Sequence, residues 1–169
     1  TRRILMTKSY EVWWQKGQES DDDMARDHQE AWERTIQMLD REDIKGKRIL
    51  DFGCNQGGFL RQMYDTVPFE EGVGIDLARA SLKKAEELKG ERPLTYVLTD
   101  TPQDTHKTFH TAVSTSVLYL IEDLRQHAKD LKAVLQPNGV YYATFADHTD
   151  NPSRQFMNDT INQYGATPS

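Results

Sequence analysis

The stretch that decides the fold is Lys47-Arg-Ile-Leu-Asp-Phe-Gly-Cys-Asn-Gln-Gly-Gly-Phe-Leu-Arg-Gln-Met63. Arg48 to Phe52 is a short, mostly apolar run with an acid, Asp51, next to last. That pattern predicts a buried strand. Gly53-Cys-Asn-Gln-Gly-Gly58 follows at once, and Phe59, Leu60 and Met63 then fall on one helical face. Strand, glycine-rich turn and helix is the layout of a nucleotide cradle. Glycines turn the backbone tightly and let a ligand approach the peptide groups. The helix start offers free N–H groups. Such a cluster is equally a plain strand-to-helix turn, and its place between a strand and a helix is the context that supports a cradle.

A second acid stands where a cradle needs one. Gly72-Val-Gly-Ile-Asp76 reads as a buried strand, and Asp76 lies 23 positions after Gly53. That spacing suits a carboxylate at the tip of the neighbouring strand, facing a ribose diol. Asp76 also suits the cap of a helix predicted from Leu77 to Leu88, and the two roles are compatible. A dinucleotide fingerprint would want glycine where Asn55 stands. Asp51 would oppose a pyrophosphate but suit a cationic ligand, which argues against the rival reading, a nicotinamide-dependent oxidoreductase.

Here the sequence resembles the class I S-adenosylmethionine-dependent methyltransferases. Their first motif is an apolar strand followed by Asp/Glu-x-Gly-x-Gly-x-Gly. This chain has Ile49-Leu-Asp-Phe-Gly-Cys-Asn-Gln-Gly57, with Asn55 in place of the middle glycine. Asn accepts left-handed backbone more readily than most residues. The family's second motif, an acid closing the second strand, matches Asp76, and the likeness runs from about Gly46 to Asp147. The resemblance implies S-adenosylmethionine as cofactor and S-adenosylhomocysteine as product. It implies that Asp51 either fixes the loop amides or faces the methionyl end, and that Gly53, Cys54, Asn55 and Gly57 form the loop. Asp76 would bind the ribose, with Leu77 beside it. Asp100 and Thr101 would meet the adenine, and Ser114 and Val117 would line the cofactor. Asp100 reads equally well as a turn residue before Pro102.

Composition narrows the partners. The chain has 169 residues, a formal net charge of −6 and a single cysteine, Cys54. The acidic balance argues against steering onto nucleic acid. One cysteine forbids an internal disulfide and fits a reducing, cytoplasmic setting; Cys54 reads as a small filler in the turn. No apolar run approaches the ~20 residues of a membrane span. Adjacent acids at Asp21-Asp-Asp23 read as a solvated helix start, so no metal is expected.

Taken in order, three regions are expected: residues 1–45 as a helical cap or lid, 46–150 as the core, and 151–169 as a helix continuing beyond the given chain. Met24, His28, Trp32, Thr35, Ile36 and Leu39 follow helical spacing, with His28 packed along the helix face. Glu42 to Lys47 reads as a polar link. Strands are predicted at Leu94–Leu98, Phe109–Thr115 and Val140–Ala146, with a helix from Glu122 to Leu135 and a last helix near 153–164. Alternating strands and helices imply an α/β, Rossmann-like, doubly wound and mostly parallel sheet with helices on both faces. Asp51, Asp76, Asp100 and Ser114 all fall at carboxyl ends of predicted strands, where such sheets bind ligands.

The family's sheet usually has seven strands, the last two a hairpin. No strand-like sequence follows Ala146, so the last strands are expected to be missing from the given chain, leaving an exposed sheet edge or a dependence on residues beyond it. Tyr10, Trp13 and Trp14 are expected to cover the site and shape the acceptor pocket, since aromatic faces attract a sulfonium; the alternative is that both tryptophans simply pack the N-terminal helices onto the sheet. Methyl transfer asks mainly for alignment. If a base is used, His148, Tyr119 and Asp147 stand at the correct end of the sheet. The activity expected is methyl transfer to a small-molecule acceptor; a non-catalytic S-adenosylmethionine-binding module is the alternative.

Overall fold

The computed structural model describes residues 3–9, 21–115 and 121–146. Among these residues, six strands form one sheet: β1 (Arg3–Ser9), β2 (Arg48–Phe52), β3 (Glu71–Asp76), β4 (Leu94–Leu98), β5 (Phe109–Thr115) and β6 (Leu135–Ala146). Their order across the sheet is β1-β6-β5-β2-β3-β4, and every pairing is parallel. The order reverses between β2 and β5, which puts the crevice of a doubly wound sheet at the carboxyl end of β2. Among the described residues, four α-helices join the strands: α1 (Asp21–Met38), α2 (Gly58–Thr66), α3 (Arg79–Leu88) and α4 (Leu124–Val134).

Two apolar layers hold the helices to the sheet. On one face Ile36 of α1, Leu39 just after it, and Phe59, Leu60 and Met63 of α2 pack with Ile49, Val113, Val140 and Tyr142. On the other, Leu124, Leu131 and Val134 of α4 pack with Leu50, Val73, Phe109 and Tyr141. β2 is buried from both sides because consecutive residues of a strand point to opposite faces. The helical spacing of His28 and Trp32 is explained by their ring stack at 5.6 Å.

Four expectations need correction. Arg3–Ser9 is a strand and no part of a helical cap, so 1–45 is not one helical region. It pairs with β6 from Arg3 opposite Val140 to Ser9 opposite Ala146. The edge of the last predicted strand is therefore covered, and β1 and β4 are the edge strands among the described residues. The ladder of that last strand also starts early. Leu135 pairs with Phe109, the next pair is Val140 with Thr111, and the chain between loops out through left-handed Asn138. The predicted helix at 153–164 lies outside the described residues.

The fourth correction is Asp43, in what reads as a polar link. It sits in a short helical turn (Arg41–Asp43) and is buried. Arg3 Nη2 donates to both its oxygens at 3.0 and 3.2 Å, and Tyr142 donates its hydroxyl at 2.6 Å. His110 Nε2 lies 3.0 Å from Oδ1, and Thr111 donates to the Asp43 carbonyl. One carboxylate thus ties β1, β5 and β6 to the turn before β2. Burial alone would raise its pKa, but the Tyr142 and His110 hydrogen bonds and the Arg3 charge outweigh it and leave it lowered. Such a group stabilises the fold above the unfolded carboxylate value and ceases to do so as pH falls through its lower folded value. Asp43→Ala should cost about 2–3 kcal/mol in urea unfolding at neutral pH. Most of that deficit should vanish well below pH ~4, where the native carboxylate is itself protonated. An unchanged urea midpoint would show that the cluster contributes nothing.

Candidate cofactor site

The site is built on β2, the loop after it and the tip of β3. Gly53 and Cys54 donate their amides to one acceptor, the Ile75 carbonyl of β3, at 2.9 and 3.0 Å. Three loop residues are left-handed: Gly53 (φ 75°), Asn55 (φ 52°) and Gly57 (φ 77°). The Asn in the middle glycine position thus adopts the backbone that makes the substitution tolerable. Gly57 has a second reason to be glycine, because a Cβ there would sit 2.6 Å from the Tyr96 hydroxyl. Gly74 leaves room for Cys54, whose Sγ would lie 2.6 Å from an added Cβ. Cys54 is buried filler, as expected, and burial with the charges of Asp51 and Asp76 pushes its thiol far up.

Asp76 holds the loop from the side. Its Oδ2 accepts from the Asn55 amide at 2.8 Å and its Oδ1 from the Ala78 amide at 2.9 Å. It therefore fixes the turn leading into α3 without capping the helix, whose N-cap is Ala78, and keeps lone pairs for a ligand, since each carboxylate oxygen takes more than one donor. Leu77 beside it is 65% exposed, a large apolar side chain open to solvent next to a polar tip. Thr99 donates its amide to the Asp76 carbonyl, which brings Asp100 to the same edge. There Thr101 donates its hydroxyl to Asp100. Ser114, on β5, is fully buried.

Asp51 is the outlier. It is 1% exposed, and neither carboxylate oxygen has a hydrogen-bond partner among the described residues. Burial first, and the charge of Asp76 second, push its pKa well above the usual carboxylate range. A buried carboxylate without a partner is costly, and such groups concentrate where a ligand completes them. The charge fits a cation rather than a phosphate.

The structure thus brings Asp51, Gly53, Cys54, Asn55, Gly57, Asp76, Leu77, Asp100, Thr101 and Ser114 to one edge of the sheet. Val117, Tyr119, Asp147, His148, Tyr10, Trp13 and Trp14 lie outside the described residues. Several neighbours of the loop were missed by sequence reading. Tyr96 of β4 lies under Gly57, and burial pushes its hydroxyl up to about 12. Trp32 of α1 fills the space over Gly58. Tyr141 of β6 bonds His127 Nε2 at 2.8 Å, and burial holds His127 down at about 4, neutral and structural. The only signal for Tyr96 was its period-two placement with Leu94, which says buried but not beneath what.

Residues 24–164 match the family model for the methyltransferase domain. A malonyl-[acyl-carrier protein] O-methyltransferase from Legionella pneumophila is 26% identical over 144 residues, covering 83% of this chain and 51% of the relative. One from Anoxybacillus flavithermus is 23% identical over 103 residues, covering 60% of this chain and 40% of the relative. The chain therefore spans about half the length, or less, of these curated relatives. Among solved structures, an S-adenosylmethionine-dependent methyltransferase from Mesorhizobium loti superposes with a TM-score of 0.56 at 25% identity, over 64% of this chain and 51% of the other. The chain belongs to the methyltransferase-domain family, within the class I S-adenosylmethionine-dependent methyltransferases. No helix among the described residues is long and apolar enough to cross a membrane.

Asp51 makes a stability test possible. A carboxyl with a raised native pKa contributes nothing below the unfolded value and costs stability as pH rises above it. Asp51→Asn should raise the melting temperature at neutral pH, by roughly 2–4 °C per kcal/mol recovered. It should also flatten the decline in stability as pH rises from about 4. Calorimetry across that range is the check, and equal melting temperatures for variant and wild type would mean the carboxylate carries no strain.

Proposed function

We propose that this chain captures S-adenosylmethionine at the carboxyl edge of β2 and β3 and passes its methyl group to a small-molecule acceptor. The observation that carries the reading is Asp51: a buried, unpartnered carboxylate at the foot of a left-handed glycine loop. Asp76 supports it from the next strand. In this reading Asp51 faces the cationic methionyl end and the loop amides border it. Asp76 accepts the ribose hydroxyls while still holding Asn55 and Ala78. Leu77 lies along the base, and Asp100 with Thr101 meets the adenine edge. Ser114 and Val117 close the floor.

When bound, the cofactor supplies a methyl group already activated on a sulfonium. The chain's own contribution is then to hold the two reactants in line and exclude water. The acceptor side falls on residues outside those described, so the acceptor is argued from the relatives. Two curated relatives are named for O-methylation of malonyl on acyl-carrier protein. A carboxylate oxygen on a short acyl group is accordingly the first acceptor class to assay.

Asp76→Ala should weaken S-adenosylhomocysteine binding about ten- to hundredfold, as expected for losing charge-assisted hydrogen bonds of roughly 1.5–3 kcal/mol. Asp76→Asn, which keeps an acceptor oxygen for the loop amide, should fall between. Isothermal titration reads both. Wild-type affinity in a folded Asp76→Ala protein would move the site elsewhere.

A further inference from the structure

Asp51 has one more property, and it concerns protons. Consider every titratable group that faces it. Asp76 approaches from the tip of β3 and is itself an acid. Cys54 in the loop is buried, with a thiol that stays protonated. Tyr96 from β4 and Tyr141 from β6 both feel the Asp51 charge, and both hydroxyls are pushed up by burial. His127 of α4 stands behind Tyr141, hydrogen-bonded to it and neutral. No cationic side chain among the described residues acts on Asp51. Its two oxygens have no donor among the described residues. The site is thus a buried acid surrounded by acids and neutral groups, and the charge it lacks must come from outside.

We infer that Asp51 carries a proton in the free protein and releases it when a cationic ligand enters, so that cofactor capture is coupled to proton release. This rests on the reading of the site given above. The O–H bond of the Asp51 carboxyl breaks, the proton leaves to solvent, and the carboxylate left behind pairs with the ligand's positive charge. The empty site then avoids a buried, uncompensated anion, and the occupied site holds a neutral pair. The same arrangement gives selectivity. A ligand with the adenosine moiety but no cationic end cannot displace the proton and gains nothing from Asp51. By linkage, affinity for a cationic ligand rises with pH while Asp51 is protonated in the free protein, by up to about tenfold per pH unit, and levels off above its pKa.

The test is isothermal titration of the protein with S-adenosylhomocysteine, whose ammonium group supplies the cation, from about pH 4, the ordinary carboxylate value, up to about pH 8. Each pH is run in two buffers of different ionisation enthalpy. The expected result is a buffer-dependent heat that reports proton release, approaching one proton at the lower end, with affinity rising as pH rises. In Asp51→Asn the release and the pH dependence should both disappear. 5′-Methylthioadenosine, which has no ammonium or sulfonium, should bind without proton release. An infrared difference spectrum of the unaltered protein gives the same answer without a variant: a protonated carboxyl band should be lost on adding S-adenosylhomocysteine. Binding with no buffer dependence and no such band overturns the inference and leaves the cofactor reading standing. Proton release that persists in Asp51→Asn overturns the inference too. Absence of S-adenosylhomocysteine binding at every pH overturns the cofactor reading and the inference with it.

Discussion

One carbonyl organises the site. Ile75 of β3 accepts the amides of both Gly53 and Cys54, the two residues that leave β2. Without that shared acceptor the loop would have no fixed direction. With it, the chain must turn at once over the top of its neighbour strand. Several sequence features follow. Gly74 has no side chain because Cys54 occupies that space, and Gly57 has none because Tyr96 does. Asn55 enters the left-handed region and delivers its amide to Asp76. The glycines are spaced by what lies beneath them, and a ligand approaching from above meets backbone rather than side chains.

Two buried aspartates show how partners decide what a carboxylate does. Asp43 and Asp51 are both almost wholly out of solvent. Asp43 is met by Arg3, His110 and Tyr142, and stays ionised more readily than a free carboxylate. It lies before β2, towards the amino edge of the sheet, and holds the edge strand in place. Neither Asp51 oxygen meets a hydrogen-bond donor among the described residues, and burial with the charge of Asp76 pushes it the other way. It lies at the carboxyl edge, where doubly wound sheets bind ligands. One end of the same sheet is satisfied and stabilising. The other is strained and waiting for a charge.

The sequence made β2, its loop and β3 legible because each is a local pattern: an apolar run, clustered glycines, an acid at the tip. α4 was legible for the same reason, with Leu124, His127, Ala128, Leu131 and Val134 recurring on one buried face. What was not legible depends on distant residues. Arg3–Ser9 is short and ambiguous alone, and becomes a strand because β6 offers it a ladder of seven pairs. Nothing in Arg41-Glu-Asp43 separates Asp43 from Glu42. Its burial comes from Arg3, His110 and Tyr142, which are 40, 67 and 99 positions away. The same holds for Tyr96, whose place beneath Gly57 depends on two strands and a loop meeting.

The central claim is that the carboxyl edge of β2 and β3 receives the cofactor. Amide chemical-shift mapping with S-adenosylhomocysteine tests it most directly. The account expects the largest changes at Gly53 to Gly58, at Asp76 to Ala78 and at Asp100 and Thr101, with little change at the opposite edge around Arg48 and Lys107. Changes centred on that opposite edge, or no change on the glycine loop at saturating ligand, would contradict it.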